Sequence, residues 1–562
     1  MIFHTQYTGR SAITNSLSRS HVQFATNTLR EPTFFEGTLG QPLVFRDALA
    51  ALYQVVVSDH KYRPRDRVEF KAWLEKQDQE FLASLGVQSA EAKRKLEELE
   101  TRKAELESLQ KKRLAPFYAA RRKYFDYVYT DEYEQYLILD PVITVHPDEV
   151  SFEAFSKDES TYARLAAKYP LFDEVREFSC GTTNIDFSIR LHLELERMRS
   201  YRQTRFEINP SGFSVAQLAN EGEEETIHRE KKIELPESWL NGFLQVHAVM
   251  AMGLTHIQLA SVDLFNICRA LRRRKARISP RSLRYELEPG KRPWVVLEPW
   301  EEIIPLTGSE IYEGPKAVSI RTWGRDRLQV LARMIPICRK VDLYLAGYGL
   351  PSFYVMDLGA VTFTLGLSGW TDNDWTEGAS FDLLTRQQDV TASELMTVYE
   401  SLCETRYASD QELSTRTGLP REKCRSAASH LCGVGRGMVD LVGGVYRHRD
   451  LFSSPFTTQE ANKAVSSQAE EQNPDAKAAR QIFENGDARF TARRPVSTGY
   501  KLTGSVKGLD GNRVRPLLHV DFESRIVDAT CTCPKFKHSK LTQGPCEHML
   551  ALRLLHMKLL ED

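Results

Sequence analysis

The chain lacks a long hydrophobic run. No uninterrupted apolar stretch approaches the ~20 residues that span a bilayer. The longest candidate, FLQVHAVMAMGLTHIQLA, carries histidines and reads as a buried helix. The opening MIFHTQYTGR has no basic stretch followed by an apolar core, so no secretory signal is expected, and the expectation is a cytoplasmic protein of bacterial type. The chain also lacks net charge, with 75 basic against 76 acidic residues. Any surface that attracts a polyanion must therefore be local. A disulfide framework is not expected either, because the nine cysteines are odd in number and six of them (Cys180, Cys268, Cys338, Cys403, Cys424, Cys432) lie scattered in apolar or helical contexts. Finally, no phosphate-binding glycine loop follows any predicted strand, and there is no internal repeat. With no catalytic motif in view, the expectation is a non-enzymatic protein.

What is present suggests several domains. A length of 562 residues corresponds to roughly three to four domains, and 41% apolar with 27% charged residues is ordinary for globular proteins. The expected fold class is α+β multidomain, with an α+β body over 1–390. Within it, Val68, Trp73, Leu74, Phe81 and Leu85 have helical spacing up to Gly86, and Leu96, Leu99, Leu106 and Leu109 form a thin seam. Residues 66–115 are read as a helical-hairpin arm. Lys103 and Gln110 break the seam, which argues against a coiled-coil dimer.

Between 117 and 300, IDFSIRLHLELERM and TRFEINPSG alternate like antiparallel strands, and residues 238–274 read as one or two buried helices. From 283 to 370, RYELE, WVVLEPW, SIRTW, FYVMDL and VTFTLGLSG read as strands around a helix DRLQVLARMIPICRKV. Residues 453–480 are polar and are read as a linker.

Residues 391–452 predict three helices and a hairpin. Leu395, Val398, Tyr399 and Leu402 share a face, Ser409 or Asp410 caps a second helix, and Gly418 and Pro420 turn into a third that buries Cys424, Ala427, Ala428 and Leu431. MVDLV, Gly443-Gly444 and VYRHRDLF make the hairpin. This order resembles a winged helix-turn-helix domain. The resemblance implies that Arg421, Lys423, Arg425 and Ser429 face a DNA groove or phosphates, and that Arg447, His448 and Arg449 sit on the wing. Winged helices also dock proteins, so the use of the unit is left open.

The remaining three cysteines lie in CTCPKFKHSKLTQGPCEH, residues 531–548. A strand-like LHVDFESRIVDATC leads into the stretch and a helical MLALRLLHMKLL leaves it. C-x-C followed after twelve residues by C-x-H offers thiolate and imidazole donors of the kind zinc takes in a tetrahedron. The pattern CTCPKF…PCEHMLAL resembles the SWIM-type zinc finger, a small ββα-type domain expected here over 481–562. The resemblance implies Cys531, Cys533, Cys546 and His548 as ligands of one structural Zn2+, with His538 in the loop as a rival. It also implies a DNA-binding or protein-binding module. Lys535, Lys537, His538 and Lys540, with Arg493, Arg494, Lys501, Lys507, Arg513 and Arg515 upstream, are candidates for phosphate contact.

Three weaker features complete the reading. The basic run at 269–284 is either a phosphate-tracking strip or a helix end. Cys180 with His192 is a distant candidate for a nucleophile and base. Asp372 and Asp374 read as an exposed turn or a metal loop. The expected function is zinc-dependent DNA binding through two modules joined by a linker, with no membrane partner and no small-molecule substrate. The alternative is an adaptor, since some bacterial SWIM-finger proteins resemble components of systems built with a MoxR-type AAA+ ATPase and a von Willebrand-type domain.

Overall fold

A computed structural model describes residues 3–5, 11–15, 19–26, 33–59, 103, 141–185, 187, 189–209, 233–235, 237–251, 253–275, 281–347, 350–369, 375, 390–452, 454–465, 474–496, 499–520, 526–539, 541 and 544–561. The predicted arm at 66–115, apart from Lys103, and Asp372, Asp374 and Lys540 lie outside the described residues. No helix among the described residues is long and apolar enough to cross a membrane.

The body is a mixed α+β structure. Its largest sheet has eight strands, in the order Thr255–Leu259, Lys340–Leu345, Ser352–Asp357, Val361–Leu367, Thr161–Lys168, Glu149–Phe155, Val142–Val145 and Gly181–Asn184. Every neighbouring pair in it is antiparallel. The strand Glu149–Phe155 is buried along its whole length. The helix Pro42–Val57 packs across the central strands on the side of Phe152, and Glu153, on the other side, is covered by Arg449.

A five-stranded sheet sits beside it, in the order Ala12–Asn15, Arg19–Ala25, Gln203–Asn209, Phe34–Leu39, Phe172–Ser179. Phe24, Phe35, Phe45, Phe152 and Phe206 meet edge-on or tilted between the layers, with ring centroids 5.3–6.4 Å apart. A further four-stranded sheet holds Leu283–Leu287, Trp294–Leu297, Glu302–Pro305 and Val318–Thr322.

Several sequence expectations change here. IRLHLEL is the helix Ile189–Leu195, not a strand. Its Leu191 and Leu195 are buried at an i,i+4 spacing, and the run has straight-chain helix formers where a strand favours branched residues. TRFEIN is a strand, as expected, but it pairs parallel to Arg19–Ala25 on one side. The apolar block 238–274 contains the strand Thr255–Leu259 between the helices Glu237–Met250 and Ser261–Arg273. Only Ile257 and Leu259 of that strand are buried, too few positions for alternation to show. DRLQVLARMIPICRKV forms two 3-10 segments, Arg325–Arg333 and Ile335–Ile337, and its last residues open the strand Lys340–Leu345.

Residues 391–452 form three helices, Ala392–Thr405, Asp410–Thr417 and Arg421–Gly433, and a three-stranded sheet in the order Tyr407–Ala408, Val445–His448, Gly437–Asp440. Thr391 and Ser409 each close a capping box, with Glu394 and Glu412. Gly418 takes the left-handed conformation that ends the second helix, at φ 72°. Replacing Ser409 or Thr391 with Ala is expected to destabilise this unit by about 1 kcal/mol each, which a chemical-denaturation midpoint for the unit measures.

The described residues of the expected linker are largely helical. Thr458–Val465 packs on Ala392–Thr405 with Ala461 buried, and Pro474–Glu484 packs on a helix of the C-terminal module. Both helices are amphipathic with mostly alanine at the buried positions (Ala461, Ala476 and Ala479, with Ile482), so their apolar signal is weak in the sequence.

The hairpin of the three-helix unit docks on the eight-stranded sheet through buried charges. Arg449 donates two hydrogen bonds to Glu153, at 2.9 and 2.7 Å, and Tyr162 donates a third, at 2.7 Å. Arg447 donates to both carboxylate oxygens of Asp148 and, through Nε, to Asp440. Arg164 pairs with Glu149 in the same layer. His247 accepts a hydrogen bond at Nδ1 from the Val439 N–H. Burial and Arg449 hold its pKa at about 4, so it is the neutral imidazole.

Candidate metal centre and nucleic-acid interface

The C-terminal module is a sheet of Ala488–Val496, Gly499–Lys507, Leu517–Val520 and Ile526–Thr530, with Arg513–Val514 beside the second strand. The helix Glu547–Glu561 covers one face of it. Cys531 follows the last strand directly, and Cys533 precedes the short helix Pro534–Ser539. Cys546 precedes the long helix, where its carbonyl accepts from the N–H groups of Met549 and Leu550, and His548 lies in the first turn. The segment after Cys533 is thus partly helical, where a loop was expected.

The donor atoms of Cys531, Cys533, Cys546 and His548 all lie within 4.8 Å of one another, and all four residues are buried. A tetrahedral zinc with bonds of about 2.0–2.3 Å requires donors at that order of separation, so the set fits the ion. Among the described residues neither ring nitrogen of His548 has a hydrogen-bond partner, although Glu547 Oε1 lies 3.3 Å from Nδ1. A buried imidazole without partners suits a metal ligand. Crowding of the thiols raises the cost of ionising them: hydrogen bonding with Cys531 is the largest cause pushing Cys546 up to about 12, and hydrogen bonding with Cys546 leads for Cys533, which is also raised. Zn2+ reverses that cost, because its own charge favours the thiolates. The Phe536 N–H donates to Cys533 Sγ at 3.3 Å, and the position of Cys546 at a helix N-terminus favours its thiolate. These residues are positioned to bind one zinc ion. His538 is exposed and outside the cluster.

One residue of the site is illegible in the motif. A Cβ on Gly508 would come within 2.7 Å of His548 Nε2, so only glycine leaves room for the ring there. Gly508 lies in the turn after the second strand, forty residues upstream of the ligand it makes room for.

The expected nucleic-acid contacts are less available. Arg447 and Arg449 are buried in the ion pairs described above, so neither can meet a phosphate, and His448 is nearly buried, its ring nitrogen 3.4 Å from Asp450. Arg421 and Arg425 share Asp410, at 2.9 and 2.7 Å, and Lys423 pairs with Glu394 at 2.6 Å. In the third helix only the first two residues, Arg421 and Glu422, are exposed, because the helix packs against Glu237–Met250 of the body as well as its own unit. In the zinc module Lys535 pairs with Asp475, whereas Lys537 is exposed.

The basic run at 269–284 is divided. Arg272 donates to Gln329, Arg274 pairs with Glu302 beside Trp300, and Arg284 is held by Glu286, Glu298 and Glu301. Cys180 and His192 have different surroundings: Cys180 neighbours Arg406 and Asp148, while His192 stacks on Tyr53 at 4.1 Å beside Glu196 and Arg333.

Residues 514–553 match the family model of the SWIM zinc finger, and the match includes all four ligands. The chain carries a SWIM zinc finger and is a zinc-binding protein. No curated protein matches it. Among solved structures it is similar to proliferating cellular nuclear antigen from Entamoeba histolytica, at 13% identity over 42% of this chain and 91% of that one, with a TM-score of 0.28. A likeness at that level carries no argument about function.

Proposed function

We propose that this is a non-enzymatic nucleic-acid-binding protein whose zinc module makes the contact. The carrying observation is the closed metal site. All four positions of a tetrahedral ion are supplied by protein, which leaves none for a substrate, so zinc holds a strand end to a helix start. The product of that fold is a surface, and the surface carries exposed cations in a chain of nearly zero net charge.

We read the unit at 391–452, by its resemblance to a winged helix, as a second module. Its third helix is occluded and its basic residues are paired, which supports reading it as a docking element within the chain.

The test is a titration of zinc-loaded full chain with a fluorescent 20-base-pair DNA duplex at two salt concentrations. Affinity is expected to fall steeply as salt rises, because bound phosphates release counterions. One zinc per chain with no binding at low salt sinks this reading and leaves the adaptor, with a protein partner such as a MoxR-type AAA+ ATPase or a von Willebrand-type domain protein.

A further inference from the structure

The zinc module's sheet has two different faces. On one, Leu502, Gly504, Val506, Leu518 and Ala529 are buried toward the long helix, with Gly504 against Leu552. Side chains alternate along a strand, so the intervening residues point the other way. Cross-strand register then sorts the cations. Arg494 is opposite Lys501, Arg489 is opposite Ser505, and Lys507 is opposite Arg513. All five of these cations therefore share the face turned away from the helix, and all are exposed. Among the described residues, none of the five forms an ion pair. The bulge between Phe490 and Ala492 reverses the parity of the first strand, which is why Arg493 lies on the other face, over the Tyr500 ring.

Between these cations stand small or neutral side chains: Ala492, Thr503, Ser505, Leu517 and Thr530. Among the described residues of these strands the carboxylate on the same face is Asp528, directly opposite His519, which is itself opposite Lys501. From Lys501 to Lys507 the row is roughly 20 Å long at about 3.3 Å per residue. At a rise of about 3.4 Å per nucleotide along one strand, that is about six phosphate steps. The face carries no Phe, Tyr or Trp among the described residues, so it offers no platform for stacking unpaired bases.

We infer that this open sheet face, through Arg489, Arg494, Lys501, Lys507 and Arg513, is a binding surface for the phosphate backbone of duplex nucleic acid, read by shape and charge and not by sequence. The inference rests on the nucleic-acid reading above and places the contact on the sheet, away from the zinc loop. With five phosphates neutralised, log affinity falls with log salt at a slope of about −4.5, which is about 500-fold between 50 and 200 mM.

The test compares full-length chain with the variant R494Q/K501Q, using random-sequence duplex DNA, duplex RNA and single-stranded DNA of one length. Zinc content and circular dichroism confirm that the variant is folded. Because these side chains are exposed at paired strand positions, the fold is expected to survive; K501Q/K507Q is the second variant should the first lose zinc. The expected result is a shallower slope of about −2.7, about 40-fold over the same salt range, with equal losses on unrelated sequences. The two duplex arms show whether DNA or RNA is the better ligand.

Three results overturn the inference. Duplex binding unchanged in both variants sinks the sheet face and leaves nucleic-acid binding standing. Tighter binding to the single strand than to either duplex sinks the duplex choice. No binding by the unaltered chain at 50 mM salt sinks both this inference and the function it rests on.

Discussion

Replacing Cys546 and His548 together with alanine is expected to abolish zinc binding and to unfold the C-terminal module while the body stays folded. The four ligands come from a strand end, a helix start and the segment between them, so the ion is what fastens the covering helix to the sheet. The apolar core of the module is modest: Leu502, Val506, Leu518, Val520 and Ile526 of the sheet, Met549, Leu550 and Leu552 of the covering helix, and Ile482 of the helix before the sheet are among its buried residues. Structural zinc in small modules supplies apparent binding energies of about 10–16 kcal/mol, more than a core of this size yields alone. Metal analysis should fall from one zinc per chain to none. Amide exchange should lose protection over 488–561 and keep it over 142–185. A strong chelator should do the same to the unaltered chain, and retained protection after zinc loss would show that the sheet stands without the ion.

Arg449→Ala is expected to loosen the three-helix unit from the body at a cost of about 3–5 kcal/mol, the size seen when a buried charge loses its partner. Glu153 is fully buried. Burial alone would raise its carboxyl, and Arg449 with His247 and Tyr162 overcomes that and holds it well below the usual range. Without the guanidinium the carboxylate must take up a proton or admit water. Replacing both partners by apolar residues, R449M/E153L, should cost much less, because no unpaired charge remains. The readout is exchange at the Val439 amide, which donates to His247 across the interface. Equal protection in R449A and the native chain would show that the pair contributes little.

The same layer makes the docking sensitive to acid, and the direction follows from the shifts. His247 and His146 are depressed to about 4 and about 3, in both cases first by burial and then by neighbouring arginine. The native state holds them neutral, while the unfolded chain binds their protons below about pH 6.5. Their contribution is therefore fully present above about pH 6.5 and declines as pH falls toward the native values. Asp440 adds its own loss lower down. Burial alone would raise it, Arg164 and Arg447 hold it at about 2, and its contribution fades as pH drops from about 3.8 toward that value. Val439 exchange, corrected for its intrinsic pH dependence, should quicken between pH 6.5 and 4. A flat profile over that window would count against neutral buried histidines.

Legibility in the sequence followed the range of the interactions concerned. The zinc ligands were legible because two close pairs in one short stretch carry the chemistry. The helix boundaries at 391–433 were legible because Ser409, Glu412, Gly418 and Pro420 act within a turn of where they stand. The strand Thr255–Leu259 and the helix Ile189–Leu195 were not, since the first shows two buried positions and the second an alternation that also satisfies an i,i+4 spacing. Arg447 and Arg449 looked like wing residues because their partners, Asp148 and Glu153, are about 300 positions away. Which of Arg493 and Arg494 shares a face with Arg489 is not legible, because it depends on a bulge between Phe490 and Ala492 that no local pattern announces.

The alternation along the docked strand has a consequence of its own. Arg447 and Arg449 point one way and Tyr446 and His448 the other. A slip of a single residue would turn both guanidinium groups away from Asp148 and Glu153 and leave the carboxylates facing the wrong side chains. A one-residue slip therefore forfeits both ion pairs at once. The hairpin is either home or detached, and charge in a dry layer acts here as a ratchet against half-measures.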